Sequence, residues 1–226
     1  MNVFIDIETI PQQPEAETRA EIEKTIEAPG QISKPETIAE WHSGVGKYAG
    51  VKLAAIDEQY RKTALDGAKG EICSVSFSVE GEAIFTVDRR EGDELNLLTV
   101  MFAYMRKQLG GRLPFFIGHN IGGFDLKFLF HRCVINRVNP EIDLYQWGRH
   151  GNHYFDTMQA WAGYGQRISQ DNLCAALGIK GKPSDICGAN VWDHYKAGNI
   201  ARIAEYNADD VATVIEIYKR LTFASN

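Results

Sequence analysis

The sequence predicts an α/β fold: a mixed β-sheet with helices packed on its faces. Three observations carry that prediction. A β-branched and aromatic run at residues 2–8 reads as a first strand. Two short apolar runs on either side of Glu80-Gly81 read as a hairpin. Beyond the hairpin, helical periodicities alternate with a short buried strand. Composition agrees: 226 residues, 44% hydrophobic and 24% charged, fit a globular chain and exclude disordered and collagen-like ones. The size suits one large domain, or a small domain with an elaboration.

The elements follow in order. After the first strand comes a polar segment, residues 11–69, with helix-forming stretches at 14–27, 35–41 and 51–65. It is long for a connection but not low in complexity, so it reads as a helical insertion within a single domain, 1–226. Ile72, Val75, Phe77 and Val79 mark the next strand, and residues 83–87 its hairpin partner. Leu95, Leu98, Phe102, Met105 and Leu109 recur at helical spacing up to Gly110-Gly111. A short strand at 114–117 leads into a helix over 123–136, and a last strand is expected at 153–155. Helices at 169–177, 189–197 and 200–221 complete the chain.

The net charge is −6 and the pI is near 5.5. That acidity argues against a protein that coats DNA electrostatically. It is compatible with a nuclease, whose acids hold cations where the substrate phosphate sits. Cys73, Cys133, Cys174 and Cys187 form no CxxC pair, so they are expected to be buried, reduced thiols of a cytoplasmic protein and not a zinc ribbon. No apolar run reaches the length of a membrane helix, and no signal segment opens the chain. A membrane partner is therefore not expected.

Four carboxylates stand at three places. Asp6 and Glu8 are two apart on a strand and project to one face. Like charges side by side repel unless protons or a cation intervene, and hard oxygen ligands suit Mg²⁺ or Mn²⁺. A strand running out into solvent is the plain alternative. In Gly118-His119-Asn120-Ile121-Gly122-Gly123-Phe124-Asp125, a strand ends in a Gly-rich turn and Asp125 falls in the first helical turn. There an acid is also a routine helix stabiliser. Tyr206 and Asp210, four apart, share one face of the last helix; a half-buried tyrosine and a surface acid explain them equally well.

Taken together and in this order, the three places resemble the exonuclease motifs of the DEDD superfamily of 3′–5′ exonucleases. Asp6-Ile7-Glu8-Thr9 matches the first motif, Asn120-x3-Phe124-Asp125 the second, and Tyr206-x3-Asp210 the third in its tyrosine (DEDDy) form. Phe155-Asp156-Thr157-Met158, the 173–182 stretch and Val191-Trp192-Asp193-x-Tyr195-x-Ala197-Gly198 are similar to stand-alone predicted exonucleases related to the exonuclease domain of family B DNA polymerases. The resemblance covers residues 1–10 and about 70–222; the 11–69 insertion departs from it.

The resemblance implies an RNase H-like fold and a two-metal phosphodiesterase using two Mg²⁺ or Mn²⁺ ions. It implies that Asp6 bridges both ions, that Glu8 and Asp210 help hold the ion carrying the attacking water, and that Asp125 supports the second. Tyr206 is expected to position the water, since a phenol titrates near ~10 and is a poor base at neutral pH. Asp156 is expected to hydrogen-bond backbone near the site. Thr9, Ile10 (as a wedge beside the terminal base), His119, Asn120, Phe124, Lys180 and Lys182 are candidate substrate contacts. Core packing against Phe128 is the alternative for Phe124. The expected substrate is the 3′ end of DNA, mainly single-stranded, with release of nucleoside 5′-monophosphates. An exoribonuclease and a non-catalytic binding module are the rivals. The 11–69 segment remains open as a lid, a protein-partner surface or a cover.

Overall fold

The computed structural model describes residues 1–44, 46–148, 153–181 and 185–224. They pack as two compact units: residues 1–9 with 72–226, and residues 10–71. In the larger unit, five strands form one sheet in the order β3-β2-β1-β4-β5. These are β1 (Asn2–Ile10), β2 (Glu71–Val79), β3 (Phe85–Asp88), β4 (Phe115–Gly118) and β5 (Tyr154–Asp156). The predicted hairpin is present, with β2 antiparallel to β3. β1 is parallel to β4, and β4 to β5, through the pairs Phe4↔Ile117 and Gly118↔Asp156. The carboxyl ends of three parallel strands therefore lie at one edge, the usual place for a site in such a sheet.

Side-chain alternation along β1 sorts the two faces. Val3, Ile5 and Ile7 point into the main core. There they meet Leu97, Leu98, Met101 and Phe102 of α4 (Glu94–Leu109) and Leu126, Phe128 and Leu129 of α5 (Asp125–Asn136). Leu95, expected on the buried stripe of α4, is instead exposed, and Leu97 and Met101 take its share of the core. Phe4 lies on the other face with Ile117, Val211, Val214 and Ile215. The last three belong to α9 (Ile200–Leu221). Tyr218 of α9 packs edge-on against Phe4 at 5.4 Å and Phe155 at 5.0 Å, which fixes the helix across β1 and β5. Asp6 and Glu8 follow Phe4 on this face, so the face that carries the acids is the one α9 covers.

One short helix escaped the sequence reading: α6 (Thr157–Ala162), directly after β5. Its Asp156 cap accepts N–H bonds from Met158 and Gln159. α7 (Gln170–Leu177) and α8 (Val191–Lys196) lie within the predicted spans. Of the cysteines, Cys73, Cys133 and Cys174 are buried as expected, but Cys187 is exposed. It falls in a loop before α8, outside any apolar periodicity.

The smaller unit contains α1 (Glu15–Thr25), α2 (Pro35–Ser43) and α3 (Ala49–Lys62). Its own core is Ile26, Trp41 and Ile56, with Ile22, Ile32 and Tyr48 around it. Arg19 pairs with Asp57 and lies 4.4 Å from the centre of the buried Tyr60 ring. The aromatic residues of this segment thus serve largely its own packing. No helix among the described residues is long and apolar enough to cross a membrane.

Candidate active site

The sheet and α9 bring three of the four carboxylates together. Ligand oxygens of Asp6, Glu8 and Asp210 all lie within 4.8 Å of one another. Asp6 is half-buried, whereas Glu8 and Asp210 are buried. The α9 stripe explains the convergence. It is apolar at Val211 and Val214, over Phe4, and turns polar one turn earlier at Tyr206, Asn207 and Asp210, over the acids.

Tyr206 is buried in the same place. Burial raises its phenol well above the ordinary tyrosine value, and the charges of Asp210, Glu8 and Asp6 raise it further. A hydrogen bond with Asp210 adds to the shift. The hydroxyl is therefore held protonated, with its one proton donated to the Asp210 carboxylate.

Asp125 sits slightly apart, at the first position of α5 and 3% exposed. Its Oδ1 accepts the backbone N–H of Ile7 at 3.2 Å, tying the start of α5 to β1 between the two acids. Burial is the main cause that raises its carboxyl, with the charges of Asp156 and Asp210 adding to it and the backbone N–H bonds opposing.

The Gly-rich turn has a steric logic. Asn120 adopts φ 60°, in the left-handed region that Asn tolerates better than most residues. Its carbonyl accepts the N–H groups of Gly123 and Phe124 at 3.1 and 2.9 Å. A Cβ at Gly122 would overlap the Tyr154 hydroxyl, so any larger residue there requires the Tyr154 ring to move. Asp156, 6% exposed, accepts the Asn120 N–H at 2.9 Å as expected, and burial raises its carboxyl too.

The other predicted contacts have these places. Thr9 is half-buried on β1 next to Glu8. Ile10 ends β1, is fully buried, and belongs to the smaller unit. His119 uses both ring nitrogens inside the protein: Nε2 is 2.9 Å from the Ile168 carbonyl and Nδ1 2.9 Å from the Thr157 hydroxyl. The carbonyl can only accept, so Nε2 carries the proton. Phe124 is half-buried and 5.4 Å from the Phe128 ring. Lys180 is exposed and lines a cleft of about 530 Å³ with Asp209, Thr213 and Glu216 on the outer side of α9. Lys182 lies outside the described residues.

Two residues were missed. Asn207 is fully buried, and its Nδ2 donates to Asp6 Oδ2 at 2.6 Å. Its Oδ1 accepts from the Ser74 hydroxyl of β2 at 3.0 Å. Gln170 Nε2 donates to the backbone carbonyl of Asp210 at 3.1 Å. The available signal was an amide at position 207, three residues before Asp210, on a stripe otherwise built for burial.

Residues 69–226 match the model of a family described as predicted 3′–5′ exonucleases related to the exonuclease domain of PolB. That span is well over half of the chain, and the chain belongs to this family, an enzyme of the 3′–5′ exonuclease class. Among solved structures, it is similar to the family B DNA polymerase from the hyperthermophilic archaeon Pyrobaculum calidifontis, with a TM-score of 0.57 and 12% identity. The match covers 98% of this chain and 24% of the polymerase, so this chain corresponds to a small part of that protein. At that identity the likeness shows the fold, and the expected RNase H-like sheet with flanking helices is borne out. No curated protein matches the chain.

Proposed function

We propose that the protein removes nucleotides from the 3′ end of DNA, mainly single-stranded, by two-metal hydrolysis that releases nucleoside 5′-monophosphates. The observation that carries this reading is the convergence of the Asp6, Glu8 and Asp210 oxygens within 4.8 Å, beside the Tyr206 phenol. The donors are all hard carboxylate oxygens, which fits Mg²⁺ or Mn²⁺ and not a softer metal. Asp125 is the fourth ligand in this reading. Bound there, such cations would lower the pKa of a water and offset charge on the phosphate.

The protein's own groups do the rest. Tyr206, kept protonated by burial and by its acidic neighbours, donates its one proton to Asp210 and leaves the phenol oxygen to accept a hydrogen bond from the attacking water, which orients it. Asn207 holds Asp6 in one orientation. A carboxylate only accepts, so the amide nitrogen must face Asp6 and the amide oxygen Ser74. The Ile7 N–H fixes Asp125, and Asp156 fixes the Asn120 turn on which the terminal nucleotide is expected to rest. In this reading the domain is single, with residues 11–69 as an insertion that offers a surface to a protein partner.

End-labelled oligonucleotides test the reading. With Mg²⁺ or Mn²⁺, a 5′-labelled single strand should shorten one nucleotide at a time, and chelation should stop it. Digestion that survives chelation, or that starts from the 5′ end, would sink the reading. Tyr206→Phe should lower kcat about 10²-fold, the scale of a misplaced reactant, while calorimetric metal affinity stays near wild type. Loss of metal binding in that variant would refute the positioning role. Asn207→Ala should weaken Mn²⁺ binding roughly 10- to 100-fold, as removal of a ligand-orienting partner does. Unchanged affinity would show that Asp6 needs no such support.

A further inference from the structure

We propose that the segment from Thr157 to Gln170 is a base-stacking platform for the single strand just upstream of the 3′ end. The proposal rests on the exonuclease reading above and assigns that site its strand-holding surface.

Both ends of the segment are anchored at the candidate site. At its start, the Thr157 hydroxyl lies 2.9 Å from His119 Nδ1 and 3.2 Å from the Gly118 carbonyl. The preceding Asp156 holds the Asn120 N–H. At its end, the Ile168 carbonyl meets His119 Nε2, and Gln170 Nε2 reaches the backbone carbonyl of Asp210. The segment therefore spans from the Asn120 turn to the helix that carries Asp210. His119, a candidate substrate contact by sequence, pins both ends of the segment.

Between the anchors, two large aromatic side chains stand in solvent: Trp161 at 47% exposure and Tyr164 at 94%. The backbone presents Tyr164 deliberately. The Gln166 N–H bonds to the Gly163 carbonyl at 3.2 Å, closing a four-residue turn with Tyr164 at its second position. Gly165 follows with φ 77°, the left-handed third position that this turn type requires.

Charge complements the aromatic rings. Residues 157–170 contain no Asp or Glu, although the chain carries 30 acids and a net charge of −6. Arg167 is their one cation, and it is exposed. Exposed rings that any base can stack on, beside a cation for the backbone, are the chemistry of sequence-tolerant single-strand binding. The acidic cluster repels a strand; this segment is positioned to hold it there.

Fluorescence anisotropy of a labelled 12-nucleotide oligo(dT), in EDTA so that the strand stays intact, tests the platform. Trp161→Ala and Tyr164→Ala should each weaken binding about tenfold. Wild type should prefer the oligonucleotide over an abasic strand of equal length, and the double variant should lose that preference. Arg167→Ala should lower the slope of log affinity against log salt by about 0.7, one phosphate contact on a single strand. With Mg²⁺ or Mn²⁺, the p-nitrophenyl ester of thymidine 5′-phosphate reports the hydrolytic site without upstream bases. The double variant should lose at least tenfold more kcat/KM on the oligonucleotide than on the ester. A wild type that cuts the oligonucleotide but ignores the loss of bases overturns the platform. So does a double variant that keeps the wild-type preference. A wild type that cuts neither substrate overturns the exonuclease reading itself.

Discussion

Asp6→Asn should cut turnover steeply while making the metal-free protein more stable. The two effects have opposite signs because one carboxylate has two consequences. Without cations, Asp6, Glu8 and Asp210 hold like charges within 4.8 Å, which destabilises the fold. Removing one charge relieves that repulsion, and the isosteric amide keeps an oxygen facing Asn207. A gain of about 1 kcal/mol corresponds to a rise of roughly 2–4 °C in Tm for a domain of this size. In Mg²⁺ or Mn²⁺ the order reverses. Wild type should gain about 2.7 kcal/mol at a metal concentration 100 times Kd, and the variant should gain little. The drop in kcat/KM should be on the order of 10³-fold, the several kcal/mol a metal-assisted step depends on. Thermal melts with and without metal, together with steady-state rates, read all three. A variant that melts lower in EDTA would mean that Asp6 is not in a repulsive cluster.

Arg132→Met should produce the largest loss of stability of any single substitution considered, with no direct effect at the carboxylates. Glu94 and Arg132 are 4% and 6% exposed and joined by hydrogen bonds of 2.6 to 3.0 Å. The same Glu94 accepts the N–H of Ile72 at 2.7 Å and the Asn136 amide at 2.8 Å. One carboxylate therefore ties the start of β2, the start of α4 and one side of α5. Breaking a buried pair by removing one partner costs about 3–5 kcal/mol, since the other charge stays buried. That is a fall in Tm of roughly 6–20 °C. Glu94→Leu/Arg132→Met should recover only part of it, because the Ile72 N–H and the Asn136 amide then lose their acceptor. A single variant that melts within 2 °C of wild type, by the same scale, would show that water reaches the pair.

The sequence reading succeeded where signals are local. Strand alternation at Asp6 and Glu8, the i,i+4 spacing of Tyr206 and Asp210, and the hairpin at Glu80-Gly81 need only neighbours along the chain. It failed where the deciding contact is distant. Asn207 was passed over because its partners, Asp6 and Ser74, lie 201 and 133 residues away. His119 looked like a free contact until Thr157 and Ile168 closed on both its nitrogens. Leu95 matched a helical repeat yet faces solvent, since periodicity gives a stripe but not its angle to the sheet.

The acid content of the chain, its motif order and its element order are written in the sequence itself. They fix the α/β class and name four carboxylates and a tyrosine. What only the tertiary structure decided is which of these share a space. Asp6, Glu8 and Asp210 meet because β1 turns its even-numbered side chains toward α9, and Phe4, Phe155 and Tyr218 lock that helix across the sheet. Asp125 is tied to β1 between Asp6 and Glu8 by the Ile7 N–H. Side-chain direction within an element follows from its period, but distance between elements follows from packing, and packing is a property of the whole core.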